Sequence, residues 1–292
     1  MKRIPLAAIG CFALHALLGS RICAQSPFVF REVGPASLEL SERGKPVYVY
    51  HHGELKPEGV PPDRHRCCYI HPLYSPQGVI VTDDFPKDHY HHRGVFWAWP
   101  VVEIEGRRYD LWLIRGIRHR FLRYLAQEAL ADRARLEFET GWFLDADPVN
   151  PVVREHVEVL AFPVRAGQRE LQFTLELTAT RPGIRISGQP DGKGYGGFNV
   201  RFAPRSQTVI VTDRGREAQD SDLVPHPWAE LSGQFQGGPA TLRITIDPRN
   251  PGYPNGWCLR HYGFLGVNYP GLNVLELEPG KPLSLRFTVS VR

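Results

Sequence analysis

The 292-residue chain carries 35 basic and 31 acidic side chains, 11% aromatics and a formal charge of +4. Three of the bases (Lys2, Arg3 and Arg21) lie in an N-terminal leader, so the remainder is nearly neutral and has no basic stripe of the kind that binds nucleic acid. Past the leader, charges or prolines interrupt every apolar run, which excludes a membrane-spanning helix there.

Met1-Lys2-Arg3, an apolar stretch from Ile4 to Gly19 and small or polar residues up to Ala24 have the layout of a secretory signal peptide. The stretch is about 16 residues long, short of the roughly 20 needed to cross a bilayer. Cleavage is expected near Ala24, giving a leader over 1–24 and a secreted or periplasmic chain over 25–292. A lipoprotein attached at Cys11 is the alternative. Cys67, Cys68 and Cys258 then remain, an odd number. A vicinal pair bridges to itself only with strain, so pairing of Cys258 with one of the two neighbours is the easier disulfide.

From Phe28 onward the chain runs in short alternating segments broken by Gly, Pro, Asp and Asn. Residues 28–30, 37–40 and 46–50 alternate with period two, as half-buried strands do. Residues 66–74 and 79–82 lead into Thr82-Asp83-Asp84-Phe85-Pro86-Lys87-Asp88-His89-Tyr90-His91-His92-Arg93-Gly94-Val95-Phe96-Trp97-Ala98-Trp99. Residues 101–104 and 108–112 read as a hairpin around Glu105-Gly106. Residues 117–128 tolerate helix but are read as a long strand, because the next three runs (135–140, 152–160 and 170–178) alternate as a one-face-wet antiparallel meander. Further strands follow at 184–186, 198–202, 208–211, 241–246, 258–267, 274–277 and 283–291, with a polar linker over 212–222. No βα alternation, heptad or fixed repeat occurs. About seventeen strands and no long linker predict an all-β fold: one large antiparallel β-sandwich, supersandwich-like, in a single domain.

The 82–99 stretch concentrates chemistry. Asp, His and Arg are costly to bury unless paired or ligated, and here they run straight into large rings. Such a junction suits the floor of a pocket where protons are exchanged beside a stacking surface. His91 and His92 are the candidate acid–base pair, with Asp88 and Asp84 to orient them or act as base. If 89–92 is extended, His89, His91 and Arg93 share one face. His89 and His91, with His71 or Asp83, are the second reading, a divalent-metal site. Arg93, Arg201 and Arg260 are candidate forks for oxygen-rich ligands. Trp97, Trp257 and Tyr262 are candidate stacking rings. The same residues also have structural readings: turn chemistry for the acids, a buried ion pair for Arg201 and core packing for the tryptophans. Gly196-Gly197 opens no helix and is no phosphate cradle. There is no nucleophile elbow, Cys-x-x-Cys pair or His-Glu-x-x-His helix.

Three ordered motifs resemble the PmoA-like family of bacterial domains, often labelled "methane oxygenase PmoA". They are Asp88-His89-x-His91-His92-Arg93-Gly94-x-x-Trp97, Gly196-Gly197-Phe198-x-x-Arg201-Phe202 and Asn250-Pro251-x-x-Pro254-x-x-Trp257-x-x-Arg260-x-Tyr262-Gly263. The resemblance spans nearly the whole chain after the leader. Its label implies an integral membrane subunit, which does not suit a chain without a spanning segment. Its architecture is similar to the galactose-mutarotase-like supersandwich, where carbohydrate-active domains set His, Arg and acids on a concave sheet. The expectation is an exported carbohydrate-active or carbohydrate-binding domain that takes a small sugar-derived ligand and needs no cofactor, with His/Asp acid–base chemistry of epimerase, lyase or hydrolase type. A metalloprotein and a non-catalytic binding module are the rivals.

Overall fold

The computed structural model describes Met1 and residues 26–292; the expected leader and Cys11 lie outside the described residues. Two nine-stranded antiparallel sheets and a smaller four-stranded one make up the fold. The first sheet runs Phe28–Glu32, Ser37–Glu42, Lys45–His51, Tyr69–Leu73, Val95–Ala98, Gly197–Arg201, Phe264–Asn268, Gly256–Arg260, Ser221–Pro225. The second runs Gly215–Glu217, Arg205–Thr212, Trp228–Phe235, Gly238–Ile246, Leu283–Val291, Arg169–Ala179, Val153–Ala161, Ala134–Leu144, Ile117–Ala129. Leu275–Leu277, Ile184–Ser187, Val101–Ile104 and Arg107–Tyr109 form the third. Among the described residues the only helix is the 3-10 turn Pro62–Arg64, and none is long and apolar enough to cross a membrane.

The two large sheets pack face to face through rings. Tyr50 stacks on Phe138 at 4.3 Å, and Phe198 lies between Phe173 (5.2 Å) and Phe287 (4.4 Å). The expected meander is present in continuous register, each strand burying every second residue. Residues 117–129 are a strand, at the edge of the second sheet. The hairpin at Glu105-Gly106 forms as expected; both residues have positive φ (51° and 75°), the mirror-image turn that matches strand twist.

The 22 strands exceed the expected seventeen because the run 258–267 is two strands, Gly256–Arg260 and Phe264–Asn268, and because the short Gly215–Glu217 and Ser221–Pro225 lie where no strand was expected. The polar stretch 212–222 contains one of them rather than being a plain linker. The three cysteines, whose pairing the sequence leaves open, form no disulfide: Cys67, Cys68 and Cys258 are all free and buried, and the Cys67 and Cys68 sulfurs meet at 3.3 Å.

Glu155 interrupts the apolar inner face. It sits in phase with Val153, Val157 and Val159 and is wholly buried. Its carboxylate accepts from Trp142 Nε1 (2.5 Å), from the Thr140 hydroxyl, from His119 Nε2 (3.2 Å) and, across the interface, from Trp97 Nε1 of the first sheet (3.1 Å). Burial pushes its pKa up, but His119 and the hydrogen-bond donors outweigh this and hold it below the usual carboxylate range. Replacing Glu155 with Ala strands these donors, and equilibrium denaturation is expected to show a loss of about 3 to 5 kcal/mol. A loss below about 1 kcal/mol, the size of an ordinary hydrogen bond, would show that the carboxylate does not tie the sheets together.

Candidate functional site

The histidine-rich segment is folded into turns, not extended. His89 N–H donates to Pro86 O (3.0 Å) and His92 N–H to His89 O (2.8 Å). The three-residue offset brings the His89 and His92 rings together, 4.7 Å apart and within 4° of parallel. Tyr262 joins them: its ring is 5.3 Å from His89 at 7° and 6.4 Å from His92 at 11°. His91 stands edge-on to both histidines. Phe264 and Trp112 close the buried side against His92, and Tyr195 packs on Trp112. The inner end of this ring cluster is dry, with His92 4% exposed, while Tyr262 is 44% exposed.

Arg201 organises the polar side. Its Nη2 donates to both oxygens of Asp88 (3.0 and 3.1 Å), Nη1 approaches His92 Nδ1 at 3.4 Å, and the guanidinium lies 5.1 Å from the Tyr262 ring centroid. Asp88 also pairs with His89 Nδ1 at 2.9 Å. Partial burial pushes the Asp88 pKa up, but the His89 hydrogen bond and Arg201 pull it below the usual range. An ionised carboxylate only accepts, so Nδ1 of His89 carries the proton and Nε2 is left as the base nitrogen.

His91 and His92 are held neutral. Burial first, then the neighbouring His89 imidazole and the Arg93 guanidinium, lower His91 to about 3; burial and the neighbouring imidazoles lower His92 well below 6.5. At neutral pH neither supplies an imidazolium proton, so the group best placed for proton transfer is the partly exposed His89 beside Asp88, which the sequence reading assigned only to metal binding.

Other expected residues lie elsewhere. Asp84 is locked into the fold by Arg66 Nη2 (2.5 Å) and the Tyr69 hydroxyl (2.6 Å). Trp97 and Trp257 are corrected to core residues. Trp97 points inward to Glu155, and Trp257, wholly buried, donates to His226 O at 2.8 Å. Arg260 is committed to the Asp222 carboxylate and Ser221 O. Arg93 is buried against Phe96 and lines a cavity that none of the stacked rings lines. For the metal reading, His71 is turned to Thr82 Oγ1 (3.0 Å), Asp83 lies 3.8 Å from Arg201, and no group of three His, Cys, Asp or Glu among the described residues could hold an ion. The first third of the chain and its carboxyl end thus converge, but through Tyr262 and Phe264. Trp112 was missed; its one sequence signal is an indole beside Asp110, whose carboxylate caps the loop by accepting from Leu113 N–H (2.7 Å).

The neutral imidazoles fix the sign of the pH dependence. His51 (about 4), His71, His91 and His92 all bind protons less readily in the fold than in the unfolded chain, whose histidines titrate near 6.5. The unfolded state therefore gains more protons as pH falls below 6.5, and stability drops from there towards pH 4. Thermal melts at pH 7.5, 6.5, 5.5 and 5.0 are expected to show a steady fall in Tm below 6.5, before most carboxylates titrate. A flat profile over that window would mean that the imidazoles are not buried neutral.

A model described as "Family of unknown function (DUF6807)" matches residues 37–292; it names no activity and does not carry the methane-oxygenase label that the motifs suggested. No curated protein matches the sequence. Among solved structures, the crystal structure of 4-alpha-glucanotransferase from Thermococcus litoralis aligns with 92% of this chain at 10% identity and a TM-score of 0.37, a likeness too distant to argue from. The chain spans 39% of that protein's length. The match over residues 37–292 makes the chain a member of the DUF6807 family of unknown function.

Proposed function

We propose that this is an exported carbohydrate-binding domain in which Tyr262 and the His89–His92 pair form a stacking platform and the Asp88–His89 couple performs proton transfer on the bound sugar. The observation that carries the reading is the set of three rings with planes within 11° of one another, exposed at Tyr262 and backed by apolar Phe264 and Trp112. A flat ring face takes the C–H face of a pyranose, and the polar groups beside it supply orientation. Arg201 holds Asp88 ionised, Asp88 holds the His89 proton on Nδ1, and Nε2 is the nitrogen that takes up and returns a substrate proton. The Lys2-Arg3 leader pattern supports export.

The test is a panel of neutral mono- and oligosaccharides, followed by calorimetry for binding and by NMR for chemical change. Tyr262→Ala is expected to weaken binding about 10-fold or more, with Tm nearly unchanged because the ring is half-exposed. His89→Ala is expected to abolish turnover and, because its ring belongs to the platform, also to weaken binding, though less than Tyr262→Ala does. Binding that survives both substitutions with no chemical change would leave a binding module that does not use this platform. No binding to any glycan sinks the proposal.

A further inference from the structure

We propose a second ligand site, for a small organic anion (a carboxylate or a phosphate ester), in the cavity of about 410 Å³ between the connecting segment 52–67, with Arg93, and the start of the edge strand Ile117–Ala129 of the second sheet. None of the stacked rings lines it. The volume is within the range of small-molecule sites.

Charge is the first argument. The lining holds four arginines and three histidines against one carboxylate, Glu54. Most of the arginines have partners. Arg118 donates to Asp145 (2.7 Å) and sits 3.5 Å from Glu54, Arg120 donates to Pro148 O (3.0 Å), and Arg66 is spent on Asp84 and on the carbonyls of Tyr90 and His92. Arg93 is different. It is 1% exposed, has no carboxylate within 4 Å among the described residues, and makes one long contact, Nη1 to His91 O at 3.4 Å. Its Nε is buried without any partner, as is that of Arg66.

Energy is the second argument. A buried guanidinium without a counter-ion is expensive, and the nearest acid, Asp84, already answers Arg66. Burial and the Arg66 charge lower the pKa of Arg93 to about 10, which still leaves it a cation at neutral pH. The face of Phe96, 4.7 Å away, offsets only part of the cost. A guanidinium fork presented to a cavity accepts a planar or tetrahedral oxyanion through paired N–H donors. His65, also in the lining, makes no side-chain hydrogen bond among the described residues and is free to add a donor, while Glu54 offers an acceptor for a ligand hydroxyl. Ile114 and Phe121 supply the apolar wall.

Calorimetry of the full-length Tyr262→Ala variant, which removes the platform ring, with glucuronate, glucose 6-phosphate and glucose tests this site by itself, so its failure leaves the Tyr262 platform untouched. At least one anionic sugar is expected to bind, and glucose to bind at least 10-fold more weakly. The stronger of the two anions tells carboxylate from phosphate. Arg93→Met is expected to weaken binding at least about 30-fold, the effect of removing one partner of a buried charge pair. Because that variant loses a core contact, His65→Ala is the companion, expected to weaken binding several-fold with Tm unchanged. Silence from both anions, glucose binding as tightly as they do, or affinity that neither substitution changes overturns the assignment.

Discussion

One carboxylate fixes the spacing of this sandwich. Glu155 is the charge placed where the alternation of its strand calls for an apolar side chain, and the donors around it come from both large sheets. Because Trp97 reaches it from the strand that follows the histidine-rich turn, the bond sets where that strand lies and therefore where Arg93, four residues earlier, enters the interior. Because His119 reaches it from the edge strand, the same bond sets the wall of the cationic cavity. Directional bonds to a buried anion do what apolar contacts cannot: they pick one lateral position of the sheets out of many of similar packing energy.

Two arginines hold the histidine-rich segment from opposite chemical sides. Arg66 takes its backbone carbonyls at Tyr90 and His92 together with Asp84, and Arg201 takes the side chains of Asp88 and His92. A loop of this composition would otherwise be solvated and mobile. Gly94 completes the constraint, since a Cβ there would lie 1.8 Å from Ile70 O. The segment closes on the neighbouring strand only because residue 94 lacks a side chain, and Ile70 and Val95 pair beside it. Burial in this ordered loop keeps His91 and His92 neutral, and His89 is flanked by the more exposed Asp88.

The fold was legible because inward and outward residues alternate over long strands, as in Val153–Ala161 and Arg169–Ala179. The pairing of the third sheet was not: runs at 101–104, 108–112, 184–186 and 274–277 read as strands, but their partners are distant in sequence, such as Ile184 with Ile104 and Leu277. In the site, composition identified the right segment and misplaced its parts. Parity shows that Trp97 and Trp99 share a strand face but not which face is inside; the inner side was decided by Glu155. The ring stack depends on a turn, and period-two reasoning cannot foresee a three-residue offset. Glu155 itself left a readable trace, an acid in phase with three valines, that went unused.

The platform draws on residues 88–92, on Arg201 and on Tyr262, contributions separated by more than half the chain. No local hairpin contains it, and the strand leading out of the turn, which meets Tyr69–Leu73 at a single pair, finds its longer partner about a hundred positions later, at Gly197–Arg201. A growing polypeptide on the ribosome therefore lacks the complete surface. The His89–His92 pair and Arg201 are synthesised well before Tyr262, so the set is complete only once the final third of the chain has been made.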